Sequence, residues 1–386
     1  MVLMQVISLH AGARADERTS VRPDLLERRL QRFHPRFRAR VAVVAARHPR
    51  LADLAGSFPA LLFALAVPRA GFDREHVCAR IIAGAPLREL ATLTQVPLWL
   101  RRVPTEGFDR PIPRLPGSAS ASGQIANHIP RAHKDIGPWL AAVGNAWGYA
   151  DETVAVWMAR IWRRAPRRRR RHGHNELLRA MCLWAWHARH VPNDPCKLRV
   201  AWVATMRFDA AMSAANDWLT NVELYVKVGD KPIADMWLKA GCVGPFEIVA
   251  LRTFADVHDE AMVMKHCVRT YGTDLMENYC RLWSIRRDGD RVATFEISQV
   301  SESPFLHIGQ LKMADDACAP EGVWTVAHTW LRAQEAAHPG VSTRPEKVPV
   351  ACVVAWRRMW RPYWIAKRCF PNWLPLTPTY AAIDGL

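Results

Sequence analysis

The dipeptide Asp288-Gly289 stands between two runs in which apolar and polar side chains alternate, residues 281–287 and 291–298. Alternation with a period of two is typical of strands that bury one face. An Asp-Gly step between two such runs is a strong β-hairpin signal, because both residues tolerate the positive φ angles of a tight turn. This part of the chain is therefore expected to form an antiparallel hairpin.

Further elements on either side of the hairpin predict a small domain. Residues 246–251 alternate like a strand, and Thr253 is placed to cap a helix that should run to about Tyr271 and end at Gly272. A third strand is expected at 305–312 and an amphipathic helix at 323–336. The order strand, helix, three strands, helix predicts a compact α+β domain over residues 246–336.

The region before this domain has helical periodicity. We predict an all-α module over residues 1–163, a basic linker at 164–174, a helical connecting region at 175–245 and a basic-aromatic tail at 337–386. The fold class is thus α+β, with the helical module preceding the small domain. Prolines, glycine and serines make 104–123 a predicted loop. Helices are expected at 23–50, 51–66, 73–83, 86–93, 97–102, 138–163, 175–190, 208–228 and 235–240.

The amino-acid composition indicates the cellular compartment in which the protein is expected. The chain has 386 residues and nine cysteines, with no C-x-x-C pair. An odd number of scattered cysteines indicates reduced thiols and a cytoplasmic protein. No apolar run approaches the roughly 18 residues that span a bilayer, so no integral membrane segment is expected. The apolar start, residues 1–9, lacks a basic leader, and a signal peptide is not expected.

The charge balance favours a polyanionic partner. Lysine and arginine total 53 against 36 aspartates and glutamates, a net charge of +17. Such an excess attracts nucleic acid, DNA or RNA. An alternative remains open: only nine of the basic residues are lysines, and an arginine-rich genome would produce the same bias without selection for binding.

Two segments concentrate the positive charge. One is a run of consecutive arginines, which could contact phosphates or form a solvated hinge. The other, in the tail, interleaves aromatic and basic side chains, which suits single-stranded nucleic acid. The alternatives for the tail are a helix that docks its tryptophans into the core and contact with an anionic membrane surface. The predicted nucleic-acid-binding residues are Arg167, Arg168, Arg169, Arg170, Arg171, Arg357, Arg358, Trp360, Arg361 and Trp364.

A pattern of twelve residues in the α+β domain resembles the PcfJ-like family of bacterial conjugative and mobile elements. The residues are Met264, His266, Cys267, Val268, Tyr271, Ser284, Ile285, Arg286, Thr294, Glu296, Ile297 and Gln310. The resemblance covers residues 246–336 and, more weakly, the helical N-terminal region. Glu260-Ala261 replaces the family's acidic-glycine step, and 313–316 replaces its glycine and asparagine. The resemblance implies association with mobile-element proteins and no established activity.

Six residues of this pattern could form a catalytic cluster: His266, Cys267, Tyr271, Arg286, Glu296 and Gln310. On the predicted helix, His266 and Cys267 point about 100° apart, and Cys267 lies at the helix end where the dipole disfavours a thiolate. We therefore expect Cys267 to be a small buried residue. We expect His266 to tether the helix to the sheet by a hydrogen bond. Acid–base chemistry with Glu296 or Gln310 is the alternative role of His266.

No metal or cofactor is expected. Cys182, His187, His190 and Cys196 have a spacing that matches no common zinc pattern, and no glycine loop could cradle a phosphate. The sequence favours a nucleic-acid-binding accessory factor of a mobile element. The alternatives are an enzyme of unknown reaction that uses the six-residue cluster and a protein-interaction scaffold.

Overall fold

The computed structural model describes residues 23–69, 72–164, 175–198, 200–299, 306–335 and 352–370. The chain divides into two compact units. Unit 1 comprises residues 1–186 and 202–213, and unit 2 comprises 187–201 and 214–386. The predicted linker at 164–174 lies outside the described residues apart from Arg164. The predicted fold class is confirmed, since helices dominate the N-terminal part and an antiparallel sheet lies in the C-terminal part.

Eleven α-helices precede the sheet among the described residues, with three short 3-10 helices at Leu98–Arg102, Thr105–Gly107 and Trp162–Arg164. Prolines begin α2, α3 and α4, because the first residue of a helix needs no amide hydrogen. The last two helices each contain a boundary between the units. The helices are α1 (Pro23–Gln31), α2 (Pro35–Ala45), α3 (Pro49–Ser57), α4 (Pro59–Ala66), α5 (Arg74–Ile82), α6 (Leu87–Thr94), α7 (Ala119–Ala126), α8 (His133–Tyr149), α9 (Glu152–Ile161), α10 (Asn175–His190) and α11 (Phe208–Val228).

The core of unit 1 forms around α4, whose residues 60–66 are all buried. The ring of Phe63 packs against Phe33, Phe37 and Phe108 at centroid distances of 5.3–6.4 Å. Such aromatic contacts add to the free energy gained from burial alone.

Four predictions for unit 1 need correction. The helix predicted at 23–50 is broken before Pro35, which begins α2, and again before Pro49, which begins α3. The helix predicted at 51–66 is interrupted at Phe58, before Pro59. The helix predicted at 138–163 is two helices, because Asp151 caps the amide of Val154 and starts α9. The predicted loop 104–123 contains the first turn of α7, and Leu115 within it is buried, so it is packed against the unit rather than extended in solvent.

Unit 2 contains a five-stranded antiparallel sheet in the order β1-β2-β3-β4-β5. Asp288 and Gly289 form the predicted turn, with φ angles of 53° and 85°. The predicted strands are confirmed, and β1 was missed because three residues are too few to show a period. The strands are β1 (Gly241–Val243), β2 (Phe246–Ala250), β3 (Cys280–Arg287), β4 (Asp290–Gln299) and β5 (Leu306–Lys312).

One face of the sheet packs against a C-terminal helix, α14 (Glu321–Glu335). Trp330 of this helix lies 4.8 Å from the ring of Trp283 and 5.5 Å from that of Phe295. Every second residue of β4 contributes to this core, so the intervening residues point to the opposite face.

The opposite face lies beneath α12 (Phe254–Met264) and the segment that follows it. Thr253 and Asp256 form the predicted cap with reciprocal hydrogen bonds. The prediction that the helix reaches Tyr271 is wrong: Lys265 adopts φ 53°, a left-handed conformation that ends α12. His266 is extended, residues 267–271 form a 3-10 turn, and α13 (Gly272–Met276) follows.

Two further segments belong to unit 2. Residues 235–240, predicted to be helical, have no regular structure. The tail forms α15 (Val353–Lys367), which continues through Pro362. No helix in the described ranges is long and apolar enough to cross a membrane.

Candidate functional site

The site lies on the face of the sheet away from α14. Thr294 and Glu296 project to this face from β4, two residues apart. Their partners on β5 are Lys312 and Gln310, respectively. A β-bulge follows Glu296 in the pairing with β5, and bulges commonly redirect side chains next to functional sites. The sheet thus places acidic, amide and basic groups side by side.

The 3-10 turn at Cys267–Tyr271 covers these side chains. Arg269 anchors the turn to α11 by donating hydrogen bonds to Asn221 Oδ1 (2.9 Å) and Asp217 Oδ1 (3.2 Å). Since Arg269 points towards α11, its neighbours in the turn can face the sheet. This anchor fixes the position of the turn above β4.

A cavity of about 20 Å³ lies between the turn and the sheet, with room for one water-sized group. Five of the six predicted catalytic candidates line it, and Arg286 does not. The lining residues are His266, Cys267, Val268, Tyr271, Leu282, Thr294, Phe295, Glu296, Gln310, Lys312 and Asp316.

A buried chain of hydrogen bonds ends at His266. Arg291 Nε donates to Glu260 Oε2 at 2.7 Å, and the Glu260 side chain is fully buried. Thr294 Oγ1 donates to Glu260 Oε1 at 2.6 Å. Thr294 Oγ1 also lies 2.7 Å from His266 Nε2. This contact is the predicted tether between the helical segment and the sheet, with Thr294 as the partner.

This series of hydrogen bonds fixes the tautomer of His266. Thr294 has one hydroxyl proton, which it gives to the Glu260 carboxylate, so its oxygen can only accept from His266 Nε2–H. In the neutral ring, Nδ1 then carries a lone pair. Nδ1 is buried, with no hydrogen-bond partner among the described residues. His266 lines the cavity, and its Nδ1 lone pair receives no hydrogen bond from the described residues.

Tyr271, Glu296 and Gln310 form a second group. The Tyr271 hydroxyl lies 3.2 Å from both Glu296 Oε2 and Gln310 Oε1, and it donates its one proton to the carboxylate. Burial, and then the charge of Glu296, raise the pKa of Tyr271. Ser298 donates to the other carboxylate oxygen. Gly309 leaves space here, because a Cβ at that position would lie 3.1 Å from Glu296 Oε1.

Two of the candidates depart from expectation. Cys267 is exposed, and the prediction that it is a small buried residue is wrong, because the helix on which the argument rested ends at Met264. Arg286 faces Glu247 across the β2–β3 pair and lies 3.4 Å from Ser284 Oγ, outside the cavity.

The loop after β5 contributes Asp316 to the cavity. Asp315 and Asp316 both have left-handed backbones, with φ angles of 57° and 58°. Aspartate tolerates this conformation better than most residues, and glycine and asparagine tolerate it best. The two aspartates thus meet a backbone requirement of this loop.

Sequence reasoning missed Glu260 and underrated Thr294. Glu260 shares the buried face of α12 with Val257, Ala261 and Met264. A carboxylate on an apolar helix face signals a buried ion pair, and this signal was present in the sequence. Thr294 belonged to the PcfJ-like pattern, but a threonine in a strand is also ordinary for β structure.

Replacing His266 with glutamine is expected to weaken the acid sensitivity of folding. Burial lowers the pKa of His266 below its ordinary 6.5, so the unfolded chain binds the proton more readily and stability falls as pH drops below about 6.5. This histidine contributes at most about 1.4 kcal/mol of that loss by pH 5.5. Urea unfolding of both proteins at pH 7.5 and 5.5 measures the difference. An equal loss in both would contradict the prediction.

The tail helix docks into unit 2. Trp360 is 1% exposed, and its ring lies 5.2 Å from His187 and 6.2 Å from Trp218. A ring buried in this way cannot stack on a base, and that part of the predicted nucleic-acid site is wrong. Trp364 is half-buried and stacks on Phe370. Docking, the alternative interpretation of the tail, is what the structure shows for α15.

The basic residues of the tail differ in exposure. Arg358 is exposed and paired with Asp230 at 2.8 Å, Arg361 is exposed, and Arg357 is half-buried. The arginine run at 167–171 lies outside the described residues, so its role stays a prediction. No cluster of three or more side chains that could hold a metal occurs in the described ranges.

No protein-family model matches this chain, and no curated protein or solved structure is significantly similar to it.

Proposed function

We propose that this chain binds nucleic acid as an accessory factor of a bacterial mobile element. The observation that carries the proposal is the excess of 53 basic over 36 acidic residues, together with its concentration in residues 23–50. Residues 23–50 contain eight arginines and only two carboxylates. The mobile-element context rests on the resemblance to the PcfJ-like pattern.

The arginines of this segment differ in their partners. Arg32 and Arg47 are paired with Glu106 and Glu75, which offset their charge. Arg28, Arg36 and Arg40 are exposed and make no ion pair among the described residues. We call Arg28, Arg36 and Arg40 the open arginine set. Uncompensated guanidinium groups are the ones that gain most from a phosphate.

Neutralising the open arginine set is expected to weaken binding to short DNA and RNA. In the R28Q/R36Q/R40Q variant, the plot of log affinity against log salt should become shallower by about one unit for each lost phosphate contact. The matched control is R32Q/R47Q/R80Q, which removes the same charge from arginines already paired with carboxylates. A third variant neutralises Arg167 to Arg171. Fluorescence anisotropy of the full chain across a salt series measures all four proteins.

The outcomes separate the interpretations. Binding that weakens with salt, and weakens most in the open-set or 167–171 variant, supports specific phosphate contacts. An equal loss in the matched control means that net charge alone acts. Absence of binding at low salt, or affinity that does not change with salt, contradicts the proposal.

An enzyme is a second candidate function. It is favoured by the convergence of five candidate residues on one cavity, where His266 has a free acceptor nitrogen and Cys267 an exposed thiol. Acid–base residues that meet in a cavity are the usual mark of a reactive site.

A further inference from the structure

We propose that the cavity beneath the Cys267–Tyr271 turn binds the ammonium group of a small primary amine. The inference deepens the second candidate function and is independent of nucleic-acid binding. It rests on the hydrogen-bonding character, the charge and the size of the cavity.

The cavity is rich in acceptors. The neutral His266 ring offers Nδ1, a buried nitrogen without a partner on a side chain only 7% exposed. Glu296 offers carboxylate oxygens, which accept from Tyr271 and Ser298 and have further lone pairs for a ligand N–H. A buried acceptor left without a donor costs free energy, which a ligand N–H would recover.

The charge of the cavity is opposite to that of the whole chain. Glu296 and Asp316 line it, with Lys312 as the single basic side chain in the lining. Asp274 lies close to the same carboxylate: burial, then the charges of Glu296 and Glu277, raise the pKa of Asp274. An acidic cavity in a chain of net charge +17 disfavours phosphate and attracts a cation.

The size of the cavity limits which cationic group can enter it. A cavity of about 20 Å³ admits one group the size of water. An ammonium group has that size, and its N–H groups can donate to both His266 Nδ1 and the Glu296 carboxylate. A guanidinium group is planar and larger. Cys267 at the cavity edge is exposed, so an alkyl chain attached to the ammonium can extend into solvent there.

The test is a titration of the full chain with n-butylammonium chloride, followed by ¹⁵N NMR of the histidine side chains. The spectrum of the His266→Gln variant assigns the His266 signals. Donation of an N–H to Nδ1 should move its resonance in a saturable way. Tetramethylammonium chloride, which has the charge without an N–H, should leave the resonance in place. A peptide with one internal lysine distinguishes a free amine from a protein side chain.

Glu296→Gln should weaken n-butylammonium binding about tenfold or more, because a charge-assisted hydrogen bond is lost. Asp288→Asn, the same charge change on an exposed turn, is the matched control and should leave the affinity unchanged. If Glu296→Gln does not fold, the titration of the unaltered chain decides.

Four results would overturn the proposal. One is an Nδ1 resonance that does not shift when n-butylammonium is added, and another is an equal shift with tetramethylammonium. The other two are a shift with phosphate but none with the amine, and binding of the lysine peptide without binding of n-butylammonium. The measurement requires no turnover. Failure of amine binding is therefore distinct from failure of the catalytic candidate function, which another substrate could still satisfy.

Discussion

Replacing Trp360 with alanine is expected to lower the free energy of unfolding by about 3–5 kcal/mol. The ring is almost fully buried and packs against His187, Trp218 and Tyr363, with centroid distances of 5.2–6.4 Å. Its removal deletes a large apolar surface and leaves a cavity that rigid neighbours cannot fill. Urea unfolding of the full chain, followed by circular dichroism, measures the change.

The control is Ile365→Ala on the same helix. Ile365 is 53% exposed, and its truncation should change the free energy of unfolding by about 0.5 kcal/mol or less. A stability loss confined to Trp360 supports the docking of α15 into unit 2. A Trp360→Ala variant that keeps its stability but loses affinity for single-stranded nucleic acid would contradict docking and restore the base-stacking interpretation.

The strands of the α+β domain could be predicted because their patterns are local. The alternation in β3 and β4 and the Asp288-Gly289 turn specify the hairpin without reference to the rest of the chain. The helix Phe208–Val228 was predicted with its observed bounds for the same reason, since 21 residues carry a clear helical period.

The end of α12 could not be predicted because no local signal marks it. Lys265 adopts a left-handed conformation although lysine does not favour it, while the glycine that favours it stands seven residues later. Tertiary contacts determine where α12 ends. His266 forms a hydrogen bond to Thr294 and Arg269 forms one to Asn221, and a helix that continued past Met264 could not make both. Cys267 is exposed for the same reason, since it lies in the turn that follows the end of α12.

The candidate site was therefore predicted in most of its members, with Arg286 wrongly included and Glu260 missed, but not in its geometry. His266, Tyr271, Glu296 and Gln310 come together as a cavity lining. The partner of His266 is Thr294 rather than Glu296, because strand register places Thr294 beneath the extended residue. Register and the position of a turn depend on contacts distant in sequence, and no period or spacing reports them.

Replacing Arg291 with methionine is expected to destabilise the protein by about 3–5 kcal/mol. Glu260 is fully buried, and Arg291 is its ion-pair partner at 2.7 Å. Without the guanidinium group, the carboxylate keeps only the hydrogen bond from Thr294 and carries an uncompensated charge away from water. Urea unfolding at pH 7.5 measures the loss.

The double variant E260Q/R291M should be more stable than R291M alone by about 1–3 kcal/mol. The Glu260→Gln substitution removes the buried negative charge that Arg291→Met leaves without a partner. Arg332→Met, at an exposed arginine of α14, is the control and should have an effect within about 0.5 kcal/mol. If the two substitutions in the double variant instead add, then Glu260 and Arg291 are not coupled. The hydrogen bonds that fix the His266 tautomer would then lack the Arg291–Glu260 pair as their anchor.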